Sequence, residues 1–185
     1  MKYRLDLMCC ILIVLISLGC GNSSTTTKPA VVDTTPSIAW QDISEARSLA
    51  KSQGKDIFIF VHAPWCPKCE AMKTTTLKDA DLIAKINTHF IPVMHNAQES
   101  KEIVWEGETY RNPNYDSSKG SNEVNSYHEL TYKIGAESIP NILVMDQSLN
   151  TLTSIQGLQD ENKMKYLLSN STGRFDYILK RTGSK

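Results

Sequence analysis

Apolar positions along this chain fall into short segments whose spacing changes from helical to extended and back. Ala46, Leu49 and Ala50 recur at helical spacing, so a helix is expected over Ser44–Gly54, with Ser44 as its cap and Gly54 as its stop. Asp56-Ile-Phe-Ile-Phe-Val-His62 is an unbroken β-branched and aromatic run, as a strand buried on both faces should be. A second helical pattern begins at Cys69-Glu-Ala-Met and should break or bend at Thr74-Thr-Thr-Leu77. A short helix over Asp79–Thr88 would turn Leu82, Ile83 and Ile86 inward. Phe90-Ile-Pro-Val-Met94 reads as a strand, and Pro92 either makes it an edge strand or starts it late. Residues 96–127 are mostly polar, but Ile103-Val-Trp105 and Thr109-Tyr110 flank Glu106-Gly-Glu108 and suggest a small hairpin. A helix over Tyr127–Ile134 should end at Gly135, with His128 as a surface or packing residue. Ile142–Met145 and Thr151–Ile155 form a last hairpin, and Asp160–Leu168 a closing helix. Phe175, Ile178 and Leu179 mark a further helix over Arg174–Lys185.

The first residues do not belong to this pattern. Lys2 and Arg4 precede an apolar run from Leu7 to Leu18, too short to cross a bilayer comfortably. Residues 1–20 therefore read as a cleaved targeting segment. Gly19-Cys20 resembles a lipoprotein processing site, which implies that Cys20 becomes a lipid-bearing N-terminus. Residues 21–37 are rich in Ser, Thr and Pro and read as a flexible tether with a reach on the order of tens of ångströms. Residues 38–185 are left for one domain, of which 96–127 are an insertion. Twenty Lys and Arg balance 20 Asp and Glu. That balance offers no long-range attraction to nucleic acid.

Five cysteines occur in the chain. Cys9 and Cys10 leave with the targeting segment and Cys20 takes lipid, so the domain keeps Cys66 and Cys69. Two cysteines at this spacing are a redox pair, a metal half-site or a haem-attachment site. Haem attachment needs a His after the second Cys, where Glu70 stands. A zinc site needs about four ligands, and His62, His95 and His128 are scattered in sequence. Redox chemistry suits the position, between an apolar strand and a helix start. There the helix dipole and unpaired N–H groups stabilise a thiolate. Pro67 fits the first turn, Lys68 adds positive charge, and Cys69 follows one turn later on the same face, able to resolve a mixed disulfide formed at Cys66.

Val61-His-Ala-Pro-Trp-Cys-Pro-Lys-Cys69 resembles the active-site segment of the thioredoxin superfamily. The resemblance extends to Ser138-Ile139-Pro140 before Asn-Ile-Leu-Val-Met145, where thioredoxins carry a cis-proline ahead of a central strand. It covers roughly Trp40 to Leu168, and is nearest to secreted, often lipid-anchored thioredoxin-like proteins of Gram-negative bacteria. It implies an α/β thioredoxin-like fold, a central mixed sheet flanked by helices, with an insertion before the cis-proline strand. It also implies thiol–disulfide oxidoreductase activity without cofactor or metal. Cys66 would be the first sulfur and Cys69 the resolving one. Pro67 and Lys68 would tune them, and Trp65, Ile139 and Pro140 would meet the substrate. Expected partners are protein thiols and disulfides and a membrane-bound electron donor, with a lipid anchor at Cys20 and a periplasm-facing location. Where many thioredoxins place a buried Asp, six residues before the first Cys, this chain has Phe60. Two readings without redox turnover remain beside this one: a thioredoxin-fold binding module and a metallochaperone. Trp105, Tyr110 and Tyr115 would either contact a partner or pack the insertion onto the domain.

Overall fold

A computed structural model describes residues 35–172. The expected targeting segment, most of the expected tether and the helix expected at Arg174–Lys185 lie outside them. The described chain runs α1 (Ala46–Gln53), β1 (Asp56–His62), α2 (Pro67–Thr74), a 3-10 turn (Thr76–Lys78), α3 (Ala80–His89), β2 (Phe90–Asn96), β3 (Ile103–Trp105), β4 (Glu108–Tyr110), α4 (Glu129–Lys133), β5 (Asn141–Met145), β6 (Thr151–Gln156) and α5 (Glu161–Thr172).

Four strands form one mixed sheet in the order β2-β1-β5-β6. β1 is parallel to β2 and antiparallel to β5, with Phe60 opposite Met94 and Ile142. A strand flanked on both sides must be apolar on both faces. The run Ile57–Val61 meets that demand and is fully buried. Its alternation divides the core. Phe58 and Phe60 join Cys66, Cys69, Met72, Leu82, Ile142 and Met164 on one face. Ile57, Ile59 and Val61 join Ala46, Val93, Trp105, Leu130 and Leu143 on the other. Each buried Ile or Phe contributes about 1.5–3 kcal/mol through removal from water.

Pro92 sits on the edge strand, as expected. Its carbonyl accepts Gln41 N–H at 2.8 Å, so its N–H side faces away from β1 and the missing donor costs no ladder bond. Thr74 and Thr75 end α2 by donating their hydroxyls back to the Glu70 and Ala71 carbonyls, at 2.9 and 2.7 Å. This is the competition between short polar side chains and helix propagation. Asp79 caps α3 through Leu82 N–H at 2.7 Å and also takes Lys165 of α5 at 3.1 Å.

Two local expectations need correction. Ser44 does not cap α1. Its N–H and hydroxyl both donate to Asp42 Oδ1, at 2.8 and 2.5 Å, and Glu45 takes the cap position without a side-chain bond. Gly54 does end the helix, at φ 64°. The helix expected from Tyr127 starts only at Glu129. His128 caps it, its Nδ1 accepting Leu130 N–H at 3.1 Å.

The insertion leaves and returns at one place: His128 N–H donates to the Ala97 carbonyl at 2.7 Å, and Ala97 N–H to that of His62 at 2.7 Å. The hairpin β3–β4 turns through Glu106 and Gly107, both at positive φ (56° and 79°), the type that matches strand twist. Asn112 ties the rest together, donating to the Glu99 and Ser126 carbonyls at 3.1 and 2.9 Å. Trp105 is buried in the second core cluster, and Ile103 and Tyr110 pack against it. For these residues packing is the observed use; Tyr115 is half-buried.

Candidate functional site

The loop Ala63-Pro64-Trp65 carries the chain from the end of β1 to the start of α2, closed by Cys66 N–H on the Ala63 carbonyl at 3.2 Å. Cys66 takes the N-cap position in extended conformation, and its Sγ accepts Cys69 N–H at 3.1 Å. A helix end leaves its first N–H groups without partners, and here one is met by sulfur. A cap acceptor that can become an anion gains from the helix dipole. Pro67 holds the first helical position, where it loses no hydrogen bond. Lys68 follows it, exposed.

Cys66 and Cys69 form a disulfide, their Cα atoms 5.2 Å apart. The two sulfurs differ in surroundings. Cys66 retains 5% exposure and Cys69 none. Cys69 lies among Phe60, Met72 and the other apolar side chains of the first core cluster. Trp65 and Ile139 are half-buried against the same cluster.

The Ile139–Pro140 peptide bond is cis, and Pro140 is buried at the start of β5. Its carbonyl accepts Gly157 N–H at 2.8 Å. No hydrogen bond of the Ile139 backbone is found among the described residues. It is therefore a place where an extended peptide can add main-chain pairing.

Three buried side-chain atoms among the described residues lack a hydrogen-bond partner: His62 Nδ1, Trp65 Nε1 and Asn141 Nδ2. All three belong to the segments that hold the sulfurs and Pro140. His62 closes β1, Trp65 precedes Cys66, and Asn141 follows Pro140. Such atoms each cost about 1–3 kcal/mol, and their concentration here marks a region not optimised for stability alone.

Phe60 does lie buried where thioredoxins carry Asp, and His62 stacks on it, ring centroids 5.6 Å apart and planes 17° from parallel. Burial and Lys73 push the His62 pKa down to about 4, with Glu70 and the Ala63 backbone pulling the other way. The other two histidines belong to the opposite face. His95 Nε2 bonds Thr131 Oγ1 at 2.9 Å, and His128 Nε2 bonds the Lys101 carbonyl at 3.1 Å, their rings 6.2 Å apart. Burial, His128 and His62 push His95 down to about 3. Among the described residues no three His, Cys, Asp or Glu side chains converge as metal ligands. In the sequence His62 stands out only as one of three scattered metal candidates. The alternation Phe58, Phe60, His62 was the signal that it shares a face with the sulfurs.

Residues 43–172 match the thioredoxin-like domain family. No curated protein matches the chain. Among solved structures it resembles the DsbH oxidoreductase, with a TM-score of 0.52 at 16% identity over 83% of this chain and 94% of that one. A putative disulphide-isomerase from Bacteroides thetaiotaomicron gives 0.53 at 19% over 74% and 94%. A thioredoxin from Thermus thermophilus gives 0.52 at 15% over 72% and 86%. At these identities the likeness is one of fold.

Proposed function

The chain belongs to the thioredoxin-like family, and on that premise we propose that it is a thiol–disulfide oxidoreductase of the cell envelope, anchored through Cys20 and acting as a donor-fed reductase. The observation that carries the redox reading is the asymmetry of the pair: Cys66 Sγ is the cap acceptor of α2, whereas Cys69 is fully buried behind it. The reduced Cys66 thiolate attacks a substrate disulfide, releasing one substrate sulfur as a thiolate and forming a mixed disulfide. The Cys69 thiolate then attacks Cys66 Sγ, re-forms the internal disulfide and expels the second substrate sulfur. Two electrons pass to the substrate, and no cofactor is required. The substrate chain lies along the Ile139 backbone, with Trp65 beside the sulfurs.

The anchor supports the direction. A domain tethered to a membrane meets membrane-held partners at high effective concentration, and a reductase outside the cytoplasm needs such a donor because that compartment is oxidising. Lys68 acts against this locally, since stabilising the thiolate makes the disulfide more oxidising. Electron supply outweighs it in the steady state. The test is the in-cell redox state of Cys66 and Cys69, trapped by acid and alkylation. A reductase is mostly dithiol in the presence of its donor and becomes disulfide when donors are removed. A pair that is disulfide-bonded under both conditions overturns the reductase reading. Loss of membrane fractionation in Cys20→Ser tests the anchor separately.

A further inference from the structure

We propose that His62 is the proton acceptor for Cys69, its Nδ1 taking the thiol proton when the mixed disulfide at Cys66 is resolved. This rests on the disulfide-exchange reading above and goes beyond it, because it assigns a group that neither the cysteine spacing nor the fold supplies.

The resolving step has a proton problem. Cys69 is fully buried among apolar side chains, and burial disfavours a thiolate. Water has no access to it, and the position that holds a carboxylate in many thioredoxins holds Phe60. Some base must stand on the sulfur face of the sheet. β1 sends Phe58, Phe60 and His62 to one side, and the first two lie in the cluster that contains both sulfurs. His62 is the next residue of that row, held in place by its stack on Phe60. Its Nδ1 is buried and makes no hydrogen bond. With the ring proton on Nε2, that nitrogen presents a free lone pair.

Among the described residues, the charged groups that act on His62 are Glu70 and Lys73 of α2, which are paired with each other at 2.7 Å. Lys68 at the start of α2 is exposed. On β2, Met94 packs against the sulfur-bearing cluster, whereas His95 bonds Thr131. Asp79 and Lys165, farther along the same cluster's rim, pair with each other at 3.1 Å.

In the disulfide state neither sulfur carries a charge, and burial keeps the ring neutral, with a pKa of about 4. A developing Cys69 thiolate changes that. An anion on the same face of a low-dielectric site raises the basicity of an imidazole. The step balances: the Cys69 S–H bond breaks and its proton passes to Nδ1. The Cys69 sulfur then bonds to Cys66 Sγ, and the bond between Cys66 and the substrate sulfur breaks. The leaving substrate thiolate receives the proton from the imidazolium directly or through solvent. His62 ends neutral, ready for the next cycle.

Two measurements test this on the full-length protein. The first is NMR titration of the His62 ring with the pair oxidised and after reduction with dithiothreitol. The proposal expects the apparent pKa to rise by at least one unit on reduction, and the rise to vanish in Cys69→Ser. An identical titration in both redox states overturns it. The second is single-turnover release of thionitrobenzoate from an adduct formed on Cys66. In a folded His62→Gln variant, release at pH 7 should slow by about a hundredfold, the usual weight of a general base, and should recover as pH rises. Alkylation of Cys66 in a Cys69→Ser background should stay within twofold of its value with His62 present. Unchanged release overturns the proposal. A redox-linked titration in a protein that reduces no disulfide substrate would support His62 and overturn the reductase reading, so the two failures are distinguishable.

Discussion

The two faces of the central sheet both carry histidine, and they treat it oppositely. On the insertion side, His95 and His128 are bonded to fixed partners. Thr131 Oγ1 donates to the Ala97 carbonyl at 3.2 Å and so receives the proton of His95 Nε2. His128 accepts at Nδ1 from Leu130 N–H and donates from Nε2 to the Lys101 carbonyl. Each ring is a strut between α4, β2 and the insertion. On the sulfur side, His62 has a stacking partner and an empty nitrogen. A buried polar atom that is satisfied holds a structure together, and one left open is available for chemistry. The same residue type, within one fold, is divided between these uses by its hydrogen bonds.

Perturbing each face separately should move a different property. The largest effect belongs to the sulfurs. Cys66→Ser should lower insulin reduction to background with the unfolding midpoint changed little, whereas Cys69→Ser should accumulate mixed disulfides visible by mass spectrometry. Activity retained in Cys66→Ser would end the assignment of roles. On the other face, Trp105→Ala should cost about 3–5 kcal/mol by opening a cavity under the hairpin, read from urea unfolding, and leave the alkylation rate of reduced Cys66 unchanged.

Acid sharpens the contrast further. The folded pKa of His95, about 3, lies below the ordinary 6.5, so between those values the unfolded chain binds a proton that the folded one refuses. Stability is therefore full above about pH 6.5 and is lost as pH falls toward 3, at up to about 1.4 kcal/mol per pH unit for this histidine. Urea unfolding of the oxidised protein at stepped pH should show that slope, and His95→Gln should flatten it by about one proton between pH 6.5 and 4.5. A slope untouched by the substitution would mean that the folded imidazole titrates normally. The smallest effect is expected at the Arg47–Glu106 ion pair, which joins α1 to the hairpin turn and is partly exposed. Arg47→Ala should cost no more than about 1 kcal/mol, with redox chemistry intact.

Much of this architecture was legible along the chain because its signals are local. Five apolar residues in a row identify β1, Pro92 identifies an edge, and Glu106-Gly107 identifies a tight hairpin turn. Cys66 and Cys69 were legible from spacing and from the strand before them. The misplaced features share a cause: several polar groups competed for one role. Asp42 and Ser44 could each open α1, and the hydroxyl became a donor to the carboxylate. His128 was expected on a helix as a surface or packing residue; it is buried, its ring nitrogen closes the helix start and its other nitrogen reaches 27 residues back to Lys101. His62 was hidden for a different reason. The alternation of β1 puts it on the even face, but that α2 folds back over this face is a long-range fact that no window of sequence contains.

The insertion begins and ends at one hydrogen bond, between His128 and Ala97, and that makes it a detachable module. Loops whose ends already meet can lengthen cheaply, each doubling adding only about 0.6 kcal/mol in closure entropy. Trp105 anchors the hairpin and Asn112 braces the remainder, so the outer stretch around Asp116–Glu123, exposed throughout, can change its residues without transmitting strain to β1. A lineage carrying this domain could therefore alter what the outer loop touches while keeping one redox centre, and a laboratory graft at the same place would exchange the appendage and leave the sulfurs in register.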